Sequence, residues 1–242
     1  FINTCFENRK MSYYEHCRYR NFEGVVIVCA NFDDPDVIEL MNSEIPVVTI
    51  DYVHHNCTAV TSNNIQGMED LVKYIYSQGH RKIAYIHGQE GSSVTRDRLA
   101  SFYRTIDELG LEIPDTYVRS ADYLETKGSA KQTKELLNLE DPPTCIIYPD
   151  DTSLIGGRNV IIEMGLRIPR DISVAGYDGT MISQLLYPKL TTIRQNTEMI
   201  GSEAATRLIG TIEKPRTTLV ERVVIEGSLV PGQSVGAIQP KG

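Results

Sequence analysis

Short β-branched runs alternate along this chain with longer segments in which apolar residues recur every three to four positions. That alternation predicts βαβ units around parallel sheets. Strands are expected near 1–5, 24–29 and 46–50, with helices between them near 10–20 and 34–42. A helix opening at Asn63 or Asn64 runs to about Gln78, where Gly79 supplies a C-terminal stop. A second series then begins in the same order. KIAYIHG (82–88) reads as a strand, 95–109 as a helix ended by Gly110, TYVRSA (116–121) as a strand and 126–138 as a helix. TCIIYP (144–149) is again a strand, 152–164 a helix ended by Gly165, and ISVAGYD (172–178) a strand. LTTIRQN (190–196), a helix near 197–212 and the strand-rich tail TTLVERVVIEGSLV come last; the tail is too short for a domain and completes sheets already begun. Two series of similar size predict an α/β chain with two similar subdomains rather than one wide sheet.

Composition narrows the class. A chain of 242 residues suits one large α/β domain or two of roughly 100 to 130 residues. The longest apolar runs, such as GVVIVCA (24–30), are of strand length and far short of a membrane span. A formal net charge of −8 leaves no basic face for phosphate, so direct nucleic-acid binding by these residues is not expected. Five cysteines, an odd number without a CxxC pair, argue against a disulfide framework and for a reducing, cytoplasmic setting. The opening FINTC has neither an initiator Met nor a leader pattern and reads as the start of a fragment.

In open parallel sheets, ligands bind outside the carboxyl ends of the strands, which makes strand-end residues the first candidates for chemistry. Asp178 ends ISVAGYD and is followed by Gly179; it reads either as a carboxylate accepting bonds from ligand hydroxyls or as a turn cap. Asp150 and Asp151 precede an apolar-periodic helix; capping is assigned to Asp151 and Asp150 is left as the ligand group. Arg96 and Arg98 stand two apart on a helix, so at most one faces a cleft, where its fork can bind two oxygens, and solvent is the usual place for either. Tyr123 follows a strand end, where it can stack on a sugar ring or a heterocyclic base, or cover the core as a loop residue. HHNC (54–57) offers two imidazoles and a thiol, but adjacent residues diverge, which favours a loop over a metal site. The sequence contains no Walker loop, GxGxxG, GxSxG or HExxH, so neither a cofactor nor catalysis is indicated.

Four segments, GHRKIAYIHG (79–88), RLASFYRTIDELG (98–110), GLRIPRDISVAGYDG (165–179) and PKLTTIRQN (188–196), occur in the order and at the spacing of one family. Over nearly its whole length the chain resembles the effector-binding core of the LacI/GalR transcriptional regulators. The resemblance implies two Rossmann-like αβα subdomains of the periplasmic-binding-protein type, joined by three crossovers near 78–80, 190–196 and 213–218, with an effector between them. It divides the chain into an N-terminal subdomain of 1–79 plus about 195–213 and a C-terminal one of 80–191 plus about 217–235. Against the family pattern, a first strand and helix of the N-terminal subdomain and the DNA-binding headpiece are missing. Asn63, Arg98, Tyr123, Asp150, Asp178 and Gln195 fall on effector-binding positions. Ser101 and Gly179 depart from the family's usual glycine and second acid, and Asn63 and Asp150 exchange amide and acid relative to its usual pattern.

These readings together predict a non-enzymatic, cytoplasmic, homodimeric regulator whose effector is a sugar or sugar derivative and which reaches operator DNA only through the missing headpiece. The alternative is an extracytoplasmic sugar-binding protein of a transport system; IPRDISVAGYDG and LTTIRQ favour the regulator. A sugar hydrolase or isomerase would rest on the paired acids alone.

Overall fold

The computed structural model describes residues 5, 6 and 9–238; most of the strand expected near 1–5 lies outside them. The chain divides into two compact units, residues 1–62 with 196–225 and residues 63–195 with 226–242.

The first unit starts with a short antiparallel pair, β1 (Cys5–Phe6) and β2 (Arg9–Lys10). Then come α1 (Tyr13–Arg20), β3 (Val25–Ile27), α2 (Pro35–Met41), β4 (Val47–Ile50) and β5 (Thr58–Ser62). Ser12 opens α1 with a capping box completed by Glu15, and Asp34 caps α2 ahead of Pro35, so both helix starts are written in the local sequence.

The second unit contains α3 (Asn64–Ser77), β6 (Ile83–His87), α4 (Ser93–Glu108), β7 (Val118–Ser120), α5 (Thr126–Leu137) and β8 (Cys145–Ile147). It continues with α6 (Asp151–Glu163), β9 (Ser173–Ala175), α7 (Met181–Leu185) and β10 (Thr192–Arg194). The chain returns to the first unit for α8 (Thr197–Glu213) and β11 (Arg222–Ile225), and β12 (Ser228–Val230) lies in the second.

Each unit is built on a four-stranded parallel sheet, ordered β11-β5-β4-β3 in the first and β7-β6-β8-β9 in the second. β10 and β12 form an antiparallel ribbon, and isolated bridges set Thr191 beside Ala175 and Arg194 beside Asp178, carrying β10 along the flank of β9. The α/β class and the two-sheet architecture expected from the sequence are therefore present.

The unit boundaries correct the expected ones at two places. The first break falls at 62/63 rather than near 79, because α3 buries Met68, Leu71, Val72 and Ile75 in one cluster with Ile83, Tyr85, Phe102 and Cys145 of the second unit. The last break falls at 225/226 rather than near 213–218, because β11 pairs with β5. Ser101, where the family usually has glycine, donates from its hydroxyl to the Ile65 carbonyl at 2.6 Å and so joins α4 to α3. The strands β6, β8 and β9 are buried on both faces, which is why their sequences read as apolar runs rather than alternations.

Candidate functional site

Every residue singled out from the sequence as a binding candidate belongs to the second unit. The strands of its sheet are parallel, so their carboxyl ends share one edge, and four of these residues sit there or enter from α4.

Arg98 lies in the first half of α4 and is only 3% exposed, whereas Arg96 faces solvent with 77% of its side chain exposed. One of the two arginines points inward and the other outward, within the limit of one that their spacing sets. The Arg98 guanidinium donates from Nε to Asn64 Oδ1 at 2.8 Å and from Nη1 to the Pro149 carbonyl at 2.9 Å. It stacks 3.4 Å above the Tyr177 ring, and Nη2 stands 3.8 Å from Asp178 Oδ1. One side chain thus ties together the start of α3, the end of β8 and the end of β9. Asn64 was legible only as part of a helix start; the structure makes it the acceptor that orients Arg98.

Asp178 retains 25% side-chain exposure at the sheet edge. Its backbone is left-handed (φ 92°), a conformation that a short polar side chain tolerates better than most. Gln195 Nε2 donates to Asp178 Oδ1 at 2.5 Å, and the Gln195 amide donates to the Asp178 carbonyl at 3.2 Å. Gln195 is therefore a group that sets the orientation of Asp178. Gly179 follows at φ 65°, and a Cβ there would lie 2.4 Å from Arg194 Cα. The family's usual second acid has no room at this position, since backbone rather than open space occupies it.

Asp150 and Asp151 both depart from the roles expected of them. Asp150, not Asp151, is the N-cap of α6, accepting from the Ser153 amide at 2.8 Å. Its other oxygen accepts from the Ser153 hydroxyl at 2.7 Å and the Leu124 amide at 2.8 Å, and the residue is 1% exposed. The carboxylate left open as a ligand group is turned inward, where it holds the segment that carries Tyr123.

Asp151 is fully buried and accepts from the Thr180 amide (2.7 Å), the Thr180 hydroxyl (3.0 Å) and the Thr192 hydroxyl (2.8 Å). Thr192 Oγ1 in turn accepts from the Gly179 amide at 3.2 Å, so Asp151 anchors the turn that presents Asp178. Burial pushes the Asp151 carboxyl up to about 6, against the three bonds to Thr180 and Thr192 and reinforced by the Asp178 charge.

Tyr123 donates to or accepts from Thr95 Oγ1 at 2.9 Å, and its ring lies against Gly88 so closely that a Cβ there would fall 2.1 Å from the ring edge. The Arg98 guanidinium carbon is 5.9 Å from its centroid. Asn63 caps α3, accepting from the Gln66 amide at 3.1 Å, while its amide nitrogen donates to Glu226 at 2.8 Å. Asn63 is held by its own unit on both sides, which differs from the contact role implied by the resemblance.

In the first unit, His54 and His55 lie with ring centroids 4.3 Å apart, and His54 Nδ1 is 3.9 Å from Cys57 Sγ. Burial pushes the Cys57 thiol up to about 11, which suits a packing thiol. Among the described residues no three His, Cys, Asp or Glu side chains gather as a metal would need, and no helix is long and apolar enough to cross a membrane.

Residues 72–235 match the periplasmic binding protein-like domain. The probable HTH-type transcriptional repressor ExuR of Bacillus subtilis (strain 168) is 28% identical over 207 residues, 84% of this chain and 62% of that protein. The HTH-type transcriptional repressor PurR of Aliivibrio salmonicida (strain LFI1238) is 27% identical over 197 residues, 80% of this chain and 59% of that protein. The chain thus spans about three fifths of the length of these curated relatives. A crystal structure of a putative LacI transcriptional regulator from Bacillus cereus subsp. cytotoxis NVH 391-98 superposes with a TM-score of 0.85 at 25% identity, covering 93% of this chain and 80% of that one. The complex of the transcriptional regulator CelR with cellobiose gives a TM-score of 0.81 at 25% identity, covering 92% and 71%.

Proposed function

Since the chain belongs to the periplasmic binding protein-like domain family, and its curated relatives are transcriptional repressors, we propose that it is the effector-binding core of a LacI-type transcriptional regulator. The effector is a sugar or sugar derivative, bound at the carboxyl edge of the β7-β6-β8-β9 sheet. One observation carries this reading: a quarter-exposed Asp178 stands beside a buried Arg98 that is locked by Asn64 and Pro149 and stacked on Tyr177. A carboxylate acceptor, a guanidinium donor and aromatic faces in one place match the hydroxyls and C–H faces of a pyranose or furanose ring. The solved CelR structure has cellobiose bound, which makes that disaccharide a natural first probe.

Within this reading Asp178 takes ligand hydroxyls, Arg98 supports it, Gln195 and Asp151 set its position, and Tyr123 supplies a ring face. Asp150 and Asn63 act through the backbone they hold. The effector regulates only through its differential affinity for two conformations of the full-length protein, whose DNA contacts belong to a headpiece. A homodimer is the proposed assembly, and the surface offered for it is α7 with its flank, where Met181, Leu185 and Tyr187 are 79%, 75% and 82% exposed.

Isothermal titration of the chain with a panel of neutral hexoses and pentoses, hexuronates and cellobiose tests the reading. At least one sugar binds, and Asp178→Ala and Arg98→Lys each weaken it at least tenfold while circular dichroism stays unchanged. Unaltered affinity in both variants sinks the site; binding of no sugar sinks the effector class.

A further inference from the structure

One polar group at this site has no part in holding or presenting Asp178. Tyr85, in the middle of β6, has no exposed surface, and among the described residues none hydrogen-bonds its hydroxyl. An unpaired buried hydroxyl is destabilising, and phenylalanine would fill the same volume without that cost. The ring belongs to the core face shared with Phe102, whose centroid is 5.2 Å away, so packing explains the ring but not the oxygen.

The surroundings of that oxygen are specific. The polar groups that act on it electrostatically are Tyr123, Arg98 and Tyr177; the Arg98 guanidinium lies over the Tyr177 ring, faces the Tyr123 ring and stands 3.8 Å from Asp178. Tyr85 and His87 are on the same face of β6, their rings 6.0 Å apart, and His87 ends the strand at the sheet edge. Over that edge lies Tyr123, seated on Gly88 and bonded to Thr95. The next residue, Leu124, has a left-handed backbone (φ 58°) and an exposed side chain, so Tyr123 is carried by a surface loop.

We infer that the Tyr85 hydroxyl is a specificity-determining contact of the proposed effector site, reached when the Tyr123 ring turns off Gly88, and that it selects an alcohol. This inference rests on the effector-binding reading of the chain. The choice of alcohol follows from donor and acceptor capacity. Arg98 only donates, Asp178 only accepts, and a phenol does both. A ligand hydroxyl accepts from Tyr85 or Arg98 while donating to Asp178, whereas a carboxylate or carbonyl oxygen has nothing to donate and meets the Asp178 charge. Opening the site breaks the Tyr123–Thr95 bond, and the new bond to Tyr85 offsets part of that loss.

The test is Tyr85→Phe in the whole chain, measured by thermal melting without sugar and by calorimetry with the panel sugar that the wild type binds most tightly. The expected result is an unchanged or higher melting temperature together with affinity weakened about tenfold, the size of one net hydrogen bond. A matched pair, D-glucose and D-glucuronate, should show the neutral sugar bound more tightly by the wild type, with that preference reduced in the variant. Affinity for the best sugar within twofold of wild type overturns the inference while leaving the effector reading intact. Binding of no panel sugar by the wild type overturns both.

Discussion

The ends of β8 and β9 are built from the same material and do different things. Each is a buried parallel strand followed by an aspartate at the same sheet edge, after Cys145–Ile147 in one case and Ser173–Ala175 in the other. At the first, Asp150 faces inward, closing the start of α6 and tethering Leu124. At the second, a left-handed backbone at Asp178 and Gly179 turns the chain so that the carboxylate stays partly in solvent, with Gln195 and Arg98 beside it. The difference lies in the backbone just beyond each acid. A helix start recruits the first carboxylate to its unpaired amides, while a turn of two positive φ angles leaves the second at the edge.

Removing Asp150 should have the largest effect on stability. Asp150→Ala strips the cap from α6 and leaves the buried Ser153 amide and the part-buried Leu124 amide without their acceptor; a loss of about 3 kcal/mol is expected in urea unfolding. If the loss stays below about 1 kcal/mol, the acid is not the structural one and the contrast with Asp178 fails.

Asp151 ties the two strand ends together, and its titration sharpens the comparison. Its carboxyl is raised in the folded chain to about 6, above the ordinary value of about 3.9. Above the raised value both folded and unfolded chains carry the charge, and the folded one bears the penalty of burying it. As pH falls through about 6 the folded chain takes the proton first, so this group adds stability that is complete once the unfolded value is passed. The swing is about 2–3 kcal/mol on these values. The opposing trend of His80, whose imidazole is held below its ordinary value by burial, makes a difference measurement the right one. Stability of wild type minus Asp151→Asn, followed from pH 7 to 4, should rise as pH falls. A flat difference places the Asp151 carboxyl at an ordinary value and removes its part in holding the Asp178 turn.

Gly179→Ala probes the geometry that keeps the second acid at the edge. The added Cβ meets Arg194 Cα at 2.4 Å in a left-handed backbone, and a loss of about 2 kcal/mol is expected from strain and clash. A neutral substitution would mean that the turn relaxes easily, which would leave nothing fixed about where Asp178 points.

Much of this architecture was readable from the chain, and the places where it was not have physical causes. Strand and helix order, the inward Arg98 and the edge position of Asp178 follow from periodicity and from the family resemblance, which the comparisons bear out. The strand β5 was missed because TAVTS adjoins the polar HHNC loop and offers only a short apolar signal, and α7 because five residues are too few for a helical period. That Asp150 rather than Asp151 caps α6 is invisible in sequence because adjacent acids at a helix start are equivalent there; only the hydrogen bonds from Ser153, Leu124 and Thr180 separate them. Tyr85 lies within the strand run KIAYIHG, and a strand pattern records the ring and not its hydroxyl. The unit boundaries shifted because α3 comes directly after strand β5 in sequence yet buries its apolar face in the other unit's core.

The smallest expected change in stability belongs to Asp178→Asn, and it is the most decisive for the comparison. Asparagine tolerates a positive φ as aspartate does and keeps an oxygen for the Gln195 amide, so the turn is preserved. Arg98 loses a neighbouring charge at 3.8 Å but keeps Asn64, the Pro149 carbonyl and the Tyr177 ring. A destabilisation of at most about 1 kcal/mol is expected, against about 3 kcal/mol at Asp150. Sugar affinity should move in the opposite order, weakened at least tenfold, because the amide donates on one side where the carboxylate accepts on both. If Asp178→Asn unfolds the chain as readily as Asp150→Ala, both acids are structural, and the effector site must be sought at other residues of this edge.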